Sequence, residues 1–198
     1  MTLPWLHIVG DSISMQYGPY LERMVVGRYA YNRKRGDPRV TDSDNGGDSS
    51  MVLDYLRERL TQLPKIDVLL VNCGLHDIKC NPEQSDNQVP VAAYEDNLRA
   101  FVVAGREHGA QVVWVRTTPV VDEIHNSRST AFKRYAQDVG PYNTLADKVM
   151  AEHGVPVIDL YTFTCNLGAD VYVDHVHFTD SVRGQQAAFI AGRLYSLL

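Results

Sequence analysis

Four short polar blocks interrupt the apolar runs of this chain: Gly10-Asp11-Ser12, Asn45–Ser50 (NGGDSS), Cys73–Ile78 (CGLHDI) and Val173–Asp180 (VDHVHFTD). Together they supply serine, glycine, histidine and aspartate. A serine hydroxyl is a poor nucleophile at neutral pH unless a base lies within hydrogen-bond reach. Histidine suits that task because its ordinary pKa lies near operating pH. Asp174, three residues before His177, can reach the other ring nitrogen, hold its tautomer and stabilise the imidazolium as it forms. Ser12 at a helix N-terminus would expose its own backbone N–H, and Gly47 would let a second backbone approach closely. The competing readings are a plain helix cap at Ser12, His175 in place of His177 as base, and a metal site on Asp174, His175 and His177. No second cluster with ligand spacing supports the metal, and none is expected.

These residues need elements to place them. Apolar runs at 5–9, 66–73, 111–117 and 155–160 are rich in Val, Ile and Leu without polar alternation, as strands buried on both faces of a parallel sheet are. Arg39–Ser43 reads as a weaker strand near the sheet edge. Helical stripes lie between them: Val52/Leu56/Leu60/Leu63, Tyr94/Leu98/Phe101/Val102/Gly105, Phe132/Tyr135/Val139/Tyr142/Leu145/Val149 and Val182/Phe189/Ile190/Leu194. The alternation predicts a single domain over 1–198, a three-layer α/β/α sandwich with a mostly parallel, flavodoxin-like sheet of about five strands. Polar segments at 28–48, 74–91, 118–130 and 161–180 follow strand ends, where ligands bind in such sheets. Asp11, Arg116 and His125 are therefore candidate substrate contacts. No Gly-x-Ser-x-Gly elbow is present, which argues against an α/β-hydrolase fold.

A net charge of −5 and a pI near 5.8 argue against nucleic acid as a partner. The cluster Arg33-Lys34-Arg35 reads as a solvated loop. No apolar run approaches the roughly 20 residues a bilayer span requires. The N-terminus enters a strand without a basic leader, and three cysteines lack paired metal spacing. A cytoplasmic protein is the expectation, with secretion after removal of a leader as the alternative.

The four blocks, in this order, resemble those of the SGNH hydrolases, also called the GDSL esterase/lipase family. Gly10-Asp11-Ser12-Ile13 matches the first block, Gly47-Asp48-Ser49-Ser50 the second (with Gly46 a competing assignment), and Asp174-His175-Val176-His177 the last. The resemblance implies a cofactor-free serine esterase with Ser12, Asp174 and His177 as catalytic residues. Its oxyanion would be held by Ser12, Gly47 and the third block. There the chain departs from the family: Gly74-Leu75-His76-Asp77 has histidine where the family has asparagine. A neutral imidazole can still donate one N–H. The expected substrate is a small-molecule or carbohydrate ester with a small acyl group such as acetyl. Acyl transfer, thioester or lysophospholipid cleavage, and a non-catalytic binding module on the same fold are the alternatives.

Overall fold

The computed structural model describes residues 2–81, 83, 86–128 and 131–197. Five strands form one sheet in the order β2-β1-β3-β4-β5, with every neighbouring pair parallel. They are β1 (Trp5–Val9), β2 (Ala30–Arg33), β3 (Val68–Val71), β4 (Gln111–Val115) and β5 (Val157–Ile158). The helices are α1 (Ser12–Met24), α2 (Ser49–Arg59), α3 (Val91–Glu107), α4 (Asp122–Arg128), α5 (Ala136–Glu152), α6 (Leu160–Cys165) and α7 (Asp180–Tyr195). The predicted three-layer α/β fold is thus the observed one.

β3 is buried along its whole length, which explains its unbroken Val-Leu-Leu-Val run. Helix α1 packs on α7, and α6 joins them; α2 packs on α3, and α3 on α5. The two groups cover opposite faces, because the crossover from β1 to β2 runs in the other direction from that between β2 and β3. The strand order therefore reverses between β1 and β3, and ligands of open parallel sheets bind at the carboxyl end of such a switch point. Ser12 leaves the sheet after β1 and His76 after β3, so both emerge there.

Two expectations are corrected. The edge strand is Ala30–Arg33, not Arg39–Ser43. In the latter segment Asp37 accepts from the backbone N–H and the guanidinium of Arg39, and Ser43 Oγ donates to the Asp37 carbonyl. Those local bonds hold turns rather than a strand. Nor is the basic cluster a solvated loop. Arg33 is buried, with Nη1 donating to the Ser14 carbonyl at 3.0 Å, and Lys34 Nζ donates to the Asn45 carbonyl at 2.8 Å. Only Arg35 is largely exposed, paired with Asp44. Among the described residues, no helix is long and apolar enough to cross a membrane.

Candidate active site

Asp11 caps α1: its backbone is extended and its Oδ1 accepts the Ile13 N–H at 3.0 Å. Ser12 is thereby the first helical residue, where backbone N–H groups have no intrahelical acceptor. Its Oγ lies 2.9 Å from His177 Nε2, although 165 positions separate the two in the chain. His177 Nδ1 lies 2.6 Å from Asp174 Oδ2. The other oxygen, Asp174 Oδ1, accepts the backbone N–H groups of Val176 and His177, each at 2.8 Å. Burial alone would raise the Asp174 pKa, but those two N–H groups and the His177 ring overcome it and hold the carboxylate at about 2. It is an anion at any working pH. The turn it builds is closed by the Val173 N–H on the His177 carbonyl.

His175 is directed elsewhere. Its ring packs on His125 with centroids 4.1 Å apart and stands 6.4 Å from the His177 ring. His177 is the imidazole that meets Ser12.

The second block approaches through its two glycines. Gly46 donates to the Gly10 carbonyl at 2.8 Å, and a Cβ on it would stand 3.0 Å from that carbonyl's atoms. Gly47 has φ +74°, a left-handed conformation that favours glycine, and its N–H donates to Asn45 Oδ1 at 2.9 Å. That N–H reaches an oxyanion only by sharing or exchanging the Asn45 bond. The third block is fastened to the second by Asp77, which is fully buried and accepts the Ser49 N–H at 2.9 Å. Burial pushes its carboxyl up to about 6.

His76 is half-buried, and its ring nitrogens have no hydrogen-bond partner among the described residues. Burial first, then the charges of Lys79, Arg134 and His177, lower its pKa to about 3. The ring is therefore neutral and offers one N–H.

The three expected substrate contacts lie in different surroundings. Arg116 is tied to Asp159 at 2.8 Å and to Asp147 at 3.4 Å, linking β4 to α5 and to the start of α6. His125 is buried between Phe132 and His175, and burial followed by the His175 and Arg134 charges lowers it to about 4. Asp11 is the helix cap, its carboxyl raised by burial. Among the described residues, no group of three or more His, Cys, Asp or Glu is placed to hold a metal ion. A cleft of about 760 Å³ opens along β2 and α2, lined by His7, Arg33, Tyr55 and Arg59 among others, and none of Ser12, Asp174 and His177 reaches it.

One residue escaped the sequence reading. Arg134 is 5% exposed, its Nε donates to the Leu75 carbonyl at 2.6 Å, and its guanidinium lies 4.9 Å from the Phe132 ring centre. Nothing in its sequence neighbours separates it from a solvated arginine, because its burial arises from distant elements.

Ser12, at the start of the first helix, thus meets the late Asp-x-x-His turn at the switch point of a five-strand parallel sheet flanked by helices, and that sheet has the SGNH hydrolase fold. The chain matches the GDSL-like Lipase/Acylhydrolase family over residues 8–184 and belongs to it. Solved structures agree in fold at low identity. An acetyl xylan esterase, AlAXEase, matches at 15% identity over 98% of both chains with a TM-score of 0.70. The lipase/acylhydrolase from Enterococcus faecalis matches at 18% over 99% of this chain and 97% of its own, TM-score 0.71. The aryl esterase of M. smegmatis matches at 15% over 98% of this chain and all of its own, TM-score 0.73. No curated protein matches it in sequence.

Proposed function

We propose that the protein is a serine esterase that cleaves small acyl esters through an acyl-enzyme. Ser12 Oγ attacks the ester carbonyl while His177 Nε2 takes its proton. Asp174 holds the Nδ1 proton in place and balances the imidazolium. His177 then protonates the leaving alcohol, and water, activated by the same imidazole, releases the acid. The developing oxyanion is met by the Ser12 N–H and the neutral His76 ring, with the Gly47 N–H joining once it leaves Asn45. On this reading His76 stands where the family's asparagine does.

The observation that carries the proposal is the pair of contacts through His177, 2.9 Å to Ser12 and 2.6 Å to Asp174. A short acyl group fits because the core elements use most of the chain and leave little for a long acyl tunnel. Acetyl xylan and aryl esterases among the structural neighbours point the same way. Substitution Ser12→Ala should abolish hydrolysis of 4-nitrophenyl acetate and labelling by a fluorophosphonate, and acetate should be released faster than octanoate by the unaltered protein. Undiminished turnover by the alanine variant rejects the mechanism; a preference for octanoate rejects the small acyl group.

A further inference from the structure

Arg134 is held more firmly than a loop residue needs to be. Its backbone N–H donates to Asn126 Oδ1 at 3.0 Å, and its carbonyl accepts from Asn126 Nδ2 at 2.8 Å, so one side chain clamps it at both ends. From that anchor the side chain turns inward to the Leu75 carbonyl, one residue before His76, and its guanidinium lies against Phe132. A guanidinium has five N–H donors in a planar fork. Here Nε is used, and the two Nη groups have no acceptor among the described residues.

The charge is also unmatched by an ion pair. No carboxylate lies within 4.0 Å of Arg134 among the described residues. Its field acts on Asp11, which precedes Ser12, on Asp174, which holds His177, and on His76 and His125. Asp174 is committed to His177 and two backbone N–H groups. Asp11 caps α1 through Oδ1 alone, and its buried Oδ2 has no hydrogen-bond partner, although it lies too far from Arg134 for an ion pair. A buried cation with no direct ion pair is costly, because the more distant Asp11 and Asp174 charges replace its lost hydration only in part. Burial lowers the Arg134 pKa only to about 10, so it stays charged at neutral pH. A fork of unused donors on the Leu75 carbonyl, within the field of the aspartates next to Ser12 and His177, suits one ligand chemistry above others, the planar carboxylate, which it meets with two parallel bonds.

We propose that Arg134 is a specificity residue that binds a carboxylate carried by the ester substrate, so that the preferred substrates are monoesters with a free acid group. The inference rests on the serine-esterase reading and sharpens its substrate class.

Two pairs of esters test it and locate the charge. Ethyl hydrogen succinate against ethyl butyrate places the carboxylate on the acyl side; 3-acetoxybenzoate against phenyl acetate places it on the alcohol side. In the unaltered protein the charged member of one pair should have the lower KM by about tenfold or more, the usual worth of a charge-assisted hydrogen bond. Arg134→Gln should bring the charged-to-neutral ratio of kcat/KM near unity, and Arg134→Lys should restore part of it. Should the glutamine variant fail to fold, inhibition of the unaltered protein decides: benzoate or succinate should compete far better than benzamide or succinamide. No charge preference in either pair overturns the inference, as does a ratio unmoved by Arg134→Gln. If the guanidinium only offsets Asp11, the Asp11→Asn change will recover whatever Arg134→Gln loses on neutral esters, and the inference falls. Failure of the underlying reading looks different: turnover of phenyl acetate would then survive Ser12→Ala.

Discussion

An aspartate and an asparagine differ by one group, and at position 174 that group decides which nitrogen of His177 carries its proton. In Asp174→Asn the amide oxygen can keep both backbone N–H groups that Asp174 Oδ1 now holds, so the turn should survive. The amide NH₂ then faces Nδ1 and demands a lone pair there, which puts the proton on Nε2, facing Ser12. That tautomer cannot accept the serine proton. We expect kcat to fall by roughly 10³ to 10⁴ while thermal unfolding changes little; near-normal turnover would remove Asp174 from the mechanism. His76 is a different kind of residue, since in the proposed mechanism its neutral ring contributes one N–H and takes no proton. His76→Ala should cost on the order of 10²-fold in kcat or more, and His76→Asn should also lower it, because the imidazole Nε2 reaches farther from the backbone than an asparagine amide can. A rise with asparagine would mean that the histidine is a defect. The meeting of Ser12 with His177, 165 positions away, was legible only through the resemblance of the four blocks to a known family, whereas the reach of Asp174 to His177 follows from their local spacing. Arg134 was illegible because its contact with the Leu75 carbonyl, 59 positions away, exists only once distant segments have folded together.

At the scale of elements, the central strands were readable because both their faces are buried, which forces a run of apolar residues. The edge strand was not. β2 is Ala-Tyr-Asn-Arg, mostly half-buried, and its pairing with β1 is a tertiary fact with no apolar signature. The turn after β3 shows how tightly the loops are drawn. Gly74 has φ +141°, and a Cβ there would stand 2.2 Å from Thr117 Oγ1. Thr117 cannot yield readily, because its hydroxyl donates to the Cys73 carbonyl and Asn143 brackets its backbone with two bonds of 2.9 Å. Gly74→Ala should therefore destabilise the fold by about 2–4 kcal/mol, through backbone strain and overpacking together. Because His76 follows two residues on, activity measured well below the melting temperature should fall as well. Urea denaturation and ester turnover on the same sample check both; an alanine variant of unchanged midpoint would show that the turn has slack. Gly74 was quoted in the third block, but its packing against the end of β4 could not be read from it.

For the whole molecule, the same burial that makes the sheet also makes its stability depend on pH. His7 lies in the middle of β1, 1% exposed, its ring stacked on Tyr55 with Nε2 3.0 Å from the tyrosine hydroxyl. Burial, then the charges of Arg33 and His108, lower its pKa from 6.5 to about 4. Between those values the unfolded chain binds a proton that the folded chain refuses, so stability is lost as the solution is acidified through that window. Asp77 acts in the other sense: its carboxyl is raised from 3.8 to about 6, so the folded chain keeps a proton that the unfolded chain releases, and stability is lost as the pH rises between those values. The net curve sums such terms, and His7→Gln isolates one of them. Glutamine cannot take up a proton, and its amide can still meet the Tyr55 hydroxyl. At about pH 7 the unaltered protein should be the more stable, because it packs a ring where the variant has a gap. On moving to about pH 4 that advantage should shrink by up to about 3 kcal/mol, the free energy of holding an imidazole neutral over this range. Urea midpoints for both proteins at several pH values measure it directly. An advantage that stays constant with pH would mean that the folded protein protonates His7 as easily as the unfolded chain does, and that the sheet beside Arg33 is open to water.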